Sequence, residues 1–316
     1  MEDLGIDGRS FLHQIKKKDV VYATKEDWIK FKDMLFIEGR LFDALDKAIE
    51  SQKQVLGEPP FRHKVVIGIP MAIKDQKNWG KINGRTMDFS KDSDRITALK
   101  WFVKQALDTF RAHHYSNFDL DGFYWIEEDM EQTAGLATEI SKYIHQLGYK
   151  HYWAPYLTAV GSHLWQDYGF DYAYTQSGGY TIKDQYELSR VVSACQKAKR
   201  RGMGMVVEMD EHVIVYPSTY VKRLNECYDT YLLNRVLDDA AMMFYDGAGV
   251  FYYLSIGNYR GRVISNQDLK QILPLIDRMA KYVDERRKKF FGSNSPQPKS
   301  KPQTTDDWRN PDYWHF

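Results

Sequence analysis

The chain has 316 residues, enough for one large domain or two smaller ones. Lysine and arginine total 44 against 43 aspartate and glutamate, and this net charge of +1 creates no global field that would attract nucleic acid. No apolar run is long enough to span a membrane, and the first ten residues lack the basic and apolar regions of a signal peptide.

Helices and strands alternate in the first part of the chain. Thr24, followed three residues later by Asp27, predicts the start of a helix that continues, long or broken, to the Gly57-Glu58-Pro59-Pro60 stretch. The apolar run Lys64–Met71 predicts a buried parallel strand, with Pro70 at its end. Residues 72–92 lack periodicity and predict a loop, and Asp94–His114 predicts a helix.

The same alternation continues to residue 291. Further strands are predicted at Phe118–Asp129, Tyr149–Tyr156, Phe170–Gln176, Met203–Asp210 and Gly249–Ile256. Helices are predicted at residues 131–147, around Leu164, and at Lys183–Arg201, Ser218–Tyr245 and Asn266–Phe291. Cys195 and Cys227 fall in apolar helical stripes, which favours buried free thiols over a disulfide. Residues 292–316 are rich in Ser, Pro and Lys, a composition that predicts a flexible linker with an aromatic tail.

Strands separated by crossover helices predict a parallel α/β sheet over residues 1–291. Both an open doubly wound sheet and a closed (β/α)8 TIM-like barrel fit this pattern. The barrel is favoured because no glycine-rich phosphate loop follows a strand, and because polar and aromatic residues gather at the strand tips. Such a barrel needs two more strands, which would precede Met1 or be degenerate within residues 1–22.

Two of the predicted strands end in carboxylates. One carries Glu127 and Glu128 near its end, and the other places Glu208 and Asp210 on one face. Most glycoside hydrolases use a pair of carboxyl groups as their catalytic residues. The alternatives are solvated loop charges for Glu127 and Glu128 and a structural ion pair for Glu208.

Aromatic and polar residues near the strand tips are candidate sugar contacts. Aromatic faces stack on the C–H faces of sugars, although half of a barrel strand's side chains point to the helices instead. The candidates are Tyr124, Trp125, Trp153, Tyr156, Tyr174, Gln176, Asp210 and Tyr252. No residue spacing resembles a zinc site, so neither a metal nor a cofactor is expected.

Three segments resemble the domain-of-unknown-function family 4855: GFYWIEED, YWAPYLTAVGSHLWQDYGFDYAYTQ and VVEMDE, in that order, within residues 8–290. These are bacterial proteins, common in gut Bacteroidetes and in Firmicutes, that are grouped with barrel glycoside hydrolases. The resemblance implies a barrel, a carbohydrate partner and a periplasmic or extracellular location. The chain departs from the family at Ser177-Gly178-Gly179-Tyr180, where members usually show Pro-Asn-Tyr, and the family's first strands are not evident.

The resemblance also implies roles for the acids. In the largest clan of barrel glycosidases the acid/base Glu ends strand four and the nucleophilic Glu ends strand seven. With Lys64–Met71 as strand three, these positions fall on Glu128, preceded by Glu127, and on Glu208. The expected function is a glycoside hydrolase, with a retaining mechanism favoured. The alternative is a catalytically silent carbohydrate-binding barrel in a polysaccharide-utilisation system. A lyase or aldolase barrel would require a lysine within a strand, and none is expected there.

Overall fold

The computed structural model describes residues 9–11, 20–59, 61–178 and 186–291, which form a mixed α/β fold. The strands are β1 His63–Ile69, β2 Lys81–Ile82, β3 Arg85–Thr86, β4 Phe118–Trp125, β5 Lys150–Trp153, β6 Tyr172–Thr175, β7 Gly204–Met209, β8 Met242–Asp246, β9 Asn258–Tyr259 and β10 Arg262–Val263. The helices are α1 Lys25–Met34, α2 Leu41–Leu56, α3 Asp92–His113, α4 Ala134–Gln146, α5 Leu188–Arg201, α6 His212–Val215, α7 Pro217–Leu233, α8 Val236–Asp239, α9 Val250–Ser255 and α10 Asn266–Phe291.

The chain divides into two compact units. The first contains Met1–Ser51 and Phe61–Ala173, and the second contains Gln52–Pro60 and Tyr174–Phe316. In the first unit, β1, β4, β5 and the beginning of β6 are parallel neighbours in that order. In the second unit, the end of β6 is followed by β7 and β8, again in parallel. The parallel α/β class predicted from the sequence is therefore confirmed.

Helix α1 begins where the sequence predicts it. The backbone N–H of Thr24 donates to Asp27 Oδ2 at 2.8 Å, and its hydroxyl donates to the same oxygen at 2.7 Å. The first of these bonds satisfies a backbone donor that no intrahelical carbonyl can reach. Helix α1 ends at Met34 and α2 begins at Leu41, so the predicted long helix is the broken one.

Aromatic residues, 15% of the chain, pack closely in the core of the first unit. Trp28, Trp79 and Phe89 are fully buried, and Phe102 nearly so. The ring centroids of Trp28 and Trp79 lie 5.0 Å apart at 73°, the edge-to-face arrangement that aromatic quadrupoles favour. These four aromatic side chains are therefore packing residues.

Three lysines, Lys64, Lys81 and Lys150, lie within strands of the first unit, which corrects the expectation that none would. Lys64 Nζ in β1 is 2.7 Å from Asp121 Oδ1, and Lys150 Nζ in β5 is 3.3 Å from Asp121 Oδ2. The hydrogen bond from Lys64 to Asp121 and the charge of that carboxylate raise the pKa of Lys64. An amine held as ammonium is a poor Schiff-base nucleophile, so this lysine does not favour a lyase or aldolase.

The core of the second unit is built on β7, all of whose residues are buried. Cys195 in α5 and Cys227 in α7 are both free and buried, as the sequence predicts. Burial raises the pKa of each thiol to about 12, because an apolar environment disfavours the thiolate. These cysteines are packing residues.

Two elements differ from their predictions in the second unit. Residues 242–245, predicted as the end of a helix, lie in β8 beside β7, and the predicted strand Gly249–Ile256 is largely helix α9. The aromatic run VFYYLS favours a strand by local propensity, but its buried residues are Val250 and Leu254, which have the i, i+4 spacing of a helix. No helix in the described part of the chain is long and apolar enough to cross a membrane.

Candidate functional site

A cavity of about 160 Å³ lies in the first unit where the chain leaves β1, β4 and β5. Residues 71–74 follow β1, residues 127–133 follow β4, and Tyr156 follows β5, so all three segments come from the carboxyl ends of parallel strands. Loops at this end carry the active sites of α/β barrels. A cavity of this size accommodates one six-membered ring.

Glu127 and Glu128 both line this cavity, but they lie in a loop rather than in the strand predicted to contain them. Strand β4 ends at Trp125, and we name residues 126–133 the acid loop. The indole N–H of Trp153 donates to the carbonyl oxygen of Glu127 at 2.7 Å, which attaches the loop to β5. Strand alternation therefore does not decide which of the two carboxylates faces the cavity.

Asp129 fixes the other half of the acid loop. Its Oδ1 accepts the backbone N–H of Glu131 at 2.6 Å. Its Oδ2 accepts the phenol of Tyr156 at 2.8 Å and the backbone N–H of Val160 at 2.8 Å. Asp129 is not among the site residues predicted from the sequence, although an aspartate that accepts the N–H two residues later is a known turn signal.

A buried arginine forms another wall of the cavity. Arg95 in α3 is only 2% exposed, and its Nε donates to the Ala72 carbonyl at 2.8 Å. Its Nη1 donates to Asp92 Oδ1 at 2.9 Å and to the Gln132 carbonyl at 3.3 Å. These bonds pair the buried charge, as burial requires, and join the segment after β1 to the acid loop. Arg95 is not among the site residues predicted from the sequence, because the polar first turn of a helix gives no sign that this side chain is buried.

The aromatic candidates of the first unit occupy different environments. Tyr156 is 39% exposed and lines the cavity, and Tyr124 on β4 is partly exposed. Trp125 and Trp153 are fully buried, and Trp153 stacks on Phe170 with ring centroids 5.2 Å apart. Both tryptophans thus have the burial of core residues, and neither presents a ring face to solvent.

Glu208 lies near the carboxyl end of β7 in the second unit and is 7% exposed. Its Oε2 accepts the hydroxyl of Ser177 at 2.9 Å and the backbone N–H of Gly178 at 2.9 Å. The hydroxyl of Tyr231 is 3.3 Å from Ser177 Oγ, and burial raises the pKa of Tyr231 well above its usual value. Hydrogen bonds donated to a carboxylate stabilise its ionised form. Ser177 and Gly178 belong to the Ser177–Tyr180 segment, in which this sequence differs from the Pro-Asn-Tyr usual in the family. The other two residues of that segment, Gly179 and Tyr180, lie outside the described residues.

Asp210 follows β7 and is 9% exposed. Its Oδ1 accepts the backbone N–H of His212 at 3.0 Å and lies 2.9 Å from His212 Nδ1. The imidazole stacks on Tyr220 with ring centroids 4.9 Å apart and an interplanar angle of 21°. Asp210 therefore orients the His212 ring, whereas a direct contact with substrate, predicted from the sequence, stays a prediction.

The remaining candidates lie elsewhere in the second unit. Tyr174 on β6 is 8% exposed, and Gln176 follows that strand and is partly exposed. Tyr252 is 58% exposed and lies on α9 rather than at the tip of a last strand. The structure thus gathers Glu127, Glu128 and Tyr156 around one cavity, and Glu208 and Asp210 near the end of one strand. Among the described residues, no three histidine, cysteine, aspartate or glutamate side chains are arranged to hold a metal ion.

Comparison with known proteins identifies the family. A family model described as "Domain of unknown function (DUF4855)" matches residues 7–262, a span that includes the cavity-lining residues, Glu208 and Asp210. A comparison with curated proteins gives no match. Because the family model covers most of its length, the chain belongs to the DUF4855 family.

Proposed function

We propose that the chain is a glycoside hydrolase acting on a polysaccharide or glycan, with Glu128 as acid/base and Glu208 as nucleophile. The observation that carries the proposal is the cavity at the carboxyl ends of β1, β4 and β5, with Glu127 and Glu128 in its wall. A general acid must reach the glycosidic oxygen, and a partly exposed carboxylate beside a ring-sized cavity meets this requirement. Glu127 remains the rival acid, because both carboxylates line the same wall.

The surroundings of Glu208 support its role as nucleophile. A nucleophilic carboxylate must be ionised and held in one orientation. The Ser177 hydroxyl and the Gly178 N–H both donate to one of its oxygens, and both donors are uncharged. A retaining mechanism would require the two catalytic carboxyls to lie about 5–5.5 Å apart.

We also propose that the fold is a (β/α)8 barrel whose first two strands are degenerate. Ser10 and Tyr22 form a parallel bridge, in which Ser10 N–H donates to the Val21 carbonyl at 2.9 Å and Ala23 N–H to the Ser10 carbonyl at 2.9 Å. The N–H of Met71, just beyond β1, donates to the Phe11 carbonyl at 3.1 Å. These bonds support two short strand-like segments within the first unit.

The experiment compares Glu128→Gln, Glu127→Gln and Glu208→Gln with the unchanged protein on a panel of aryl glycosides and polysaccharides. We expect Glu208→Gln to lower kcat/KM on every substrate. Glu128→Gln should lower it by about 10²–10⁴ on polysaccharides, and by less on aryl glycosides whose leaving groups need no proton. Glu139→Gln, in the exposed pair with Lys142, is the matched control and should keep full activity. The anomer of the first product, read by NMR, distinguishes retention from inversion.

Equal activity in all four variants and the unchanged protein would refute the hydrolase. The second candidate, a silent carbohydrate-binding barrel, is favoured by the bonds of Glu208, because they would equally suit a carboxylate that anchors the segment after β6. In that case the unchanged protein would bind glycans without cleaving them. Glu208→Gln would then lower the free energy of unfolding and leave glycan affinity unchanged.

A further inference from the structure

The phenol of Tyr156 has a fixed hydrogen-bonding direction. Its O–H donates to Asp129 Oδ2 at 2.8 Å, and the same carboxylate is held by the N–H groups of Val160 and Glu131. Burial, the hydrogen bond to Asp129 and the charge of that carboxylate raise the pKa of Tyr156 to about 12, so the phenol stays protonated at neutral pH. Because its proton is committed to Asp129, the phenol oxygen can offer only lone pairs to a ligand.

The rest of the cavity wall is mainly acidic. Of the described residues that line it, four carry carboxylates, Glu127, Glu128, Asp129 and Glu131, and two are cationic, Lys74 and Arg95. Arg95 is turned toward protein acceptors through Nε and Nη1, and Lys74 is exposed to solvent. An ionised carboxylate accepts hydrogen bonds and cannot donate them. The four carboxylates outnumber the two cations, so the wall is negative, and Gln132 adds a neutral amide that can donate or accept.

We propose that this cavity binds an uncharged sugar ring through the ring's hydroxyl donors, and that Tyr156 is a specificity-determining residue that accepts one of these bonds. The inference rests on the carbohydrate part of the proposed function and not on hydrolysis. A hydroxyl can donate to Tyr156 or to a carboxylate of the acid loop. A carboxylate on the ligand has no proton to offer, and it would be repelled by the like charges of the wall.

The experiment measures the affinity of the full chain at pH 7 for methyl glycosides of glucose, galactose and mannose by ligand-detected NMR. Each is paired with the corresponding methyl uronoside, which differs only in a carboxylate at C6. We expect at least one neutral glycoside to bind, and its uronoside to bind at least about tenfold more weakly. Tyr156→Phe should weaken the neutral ligand by about 3- to 10-fold, the effect of one neutral hydrogen bond. Tyr172→Phe, another partly exposed tyrosine of the same unit, is the control and should bind as the unchanged protein does.

A second variant tests the charge of the cavity wall. Glu131→Gln, at an exposed position in that wall, keeps the volume of the side chain and removes one charge, so the preference for the neutral ligand over its uronoside should shrink. Three results would each overturn the inference. They are equal or tighter binding of the uronoside, undiminished binding by a folded Tyr156→Phe variant, and no binding of any ligand. A protein that shows the expected preference but never cleaves a glycoside would refute the hydrolase and leave this specificity standing.

Discussion

The buried histidine of the first unit should make the protein sensitive to mild acid. His151 in β5 is fully buried, with Nδ1 2.7 Å from the Ser141 hydroxyl and no hydrogen-bond partner for Nε2 among the described residues. Burial, with a smaller contribution from the charge of His145, lowers the pKa of His151 to about 3. Because an unfolded histidine titrates near 6.5, protons bind the unfolded chain in preference to the folded one.

The sign and size of the effect follow from this difference. The stability associated with neutral His151 is fully present above about pH 6.5 and is lost as the pH falls toward 3. Between pH 7 and pH 5 the two pKa values correspond to a loss of about 2 kcal/mol in the free energy of unfolding. A loss of this size is a large fraction of the total stability of a typical domain.

The assay is urea unfolding at pH 7, 6 and 5, followed by tryptophan fluorescence, on the unchanged protein and on His151→Gln. Glutamine can still bond Ser141 but does not titrate, so the stability difference between the two proteins should shift by about 2 kcal/mol between pH 7 and pH 5. His63→Gln, at an exposed position at the start of β1, is the matched control for replacing a histidine by glutamine. A stability difference for His151→Gln that stays constant from pH 7 to pH 5 would refute the reasoning.

Two further substitutions test packing and polar contacts. Ser177→Ala removes a buried donor to Glu208 and should lower the free energy of unfolding, measured by chemical denaturation, by about 1–3 kcal/mol. The control Ser193→Ala, on the exposed face of α5, should change it by less than about 0.5 kcal/mol. Gly122→Ala should prevent folding, because its Cβ would lie 2.0 Å from the Lys150 carbonyl oxygen in β5, and the loss would be seen in circular dichroism. The control Gly135→Ala, whose Cβ meets no atom within 4 Å, should fold normally. Equal behaviour of the two variants would contradict the steric argument.

The sequence predicts best the elements that are determined locally. The capping pair Thr24 and Asp27 fixes the start of α1, and the apolar periodicity of residues 266–291 predicts the whole of α10. Both signals arise from residues within a few turns of one another, so no distant contact is needed to read them.

What the sequence could not predict depends on distant neighbours. Residues 242–246 form a strand because they pair with the edge of β7 through backbone hydrogen bonds. Local propensity does not depend on such a distant neighbour and therefore could not predict the strand. Arg95 and Asp129 were missed for a similar reason, since their partners Gln132, Tyr156 and Val160 lie 27 to 37 residues away in the chain. Glu127 and Glu128 were predicted to lie within a strand, but they lie in the loop that follows it, because β4 ends at Trp125.

The two buried thiols give this protein a practical advantage for site-specific labelling. With pKa values of about 12, Cys195 and Cys227 present only about one thiolate in ten thousand molecules at pH 8, and both side chains are buried. Alkylating reagents attack thiolates, so the native protein should remain almost unlabelled by maleimides while a cysteine introduced on the surface reacts. A fluorophore could then be attached at a single chosen position, for example on the rim of the acid loop, without first removing either natural cysteine.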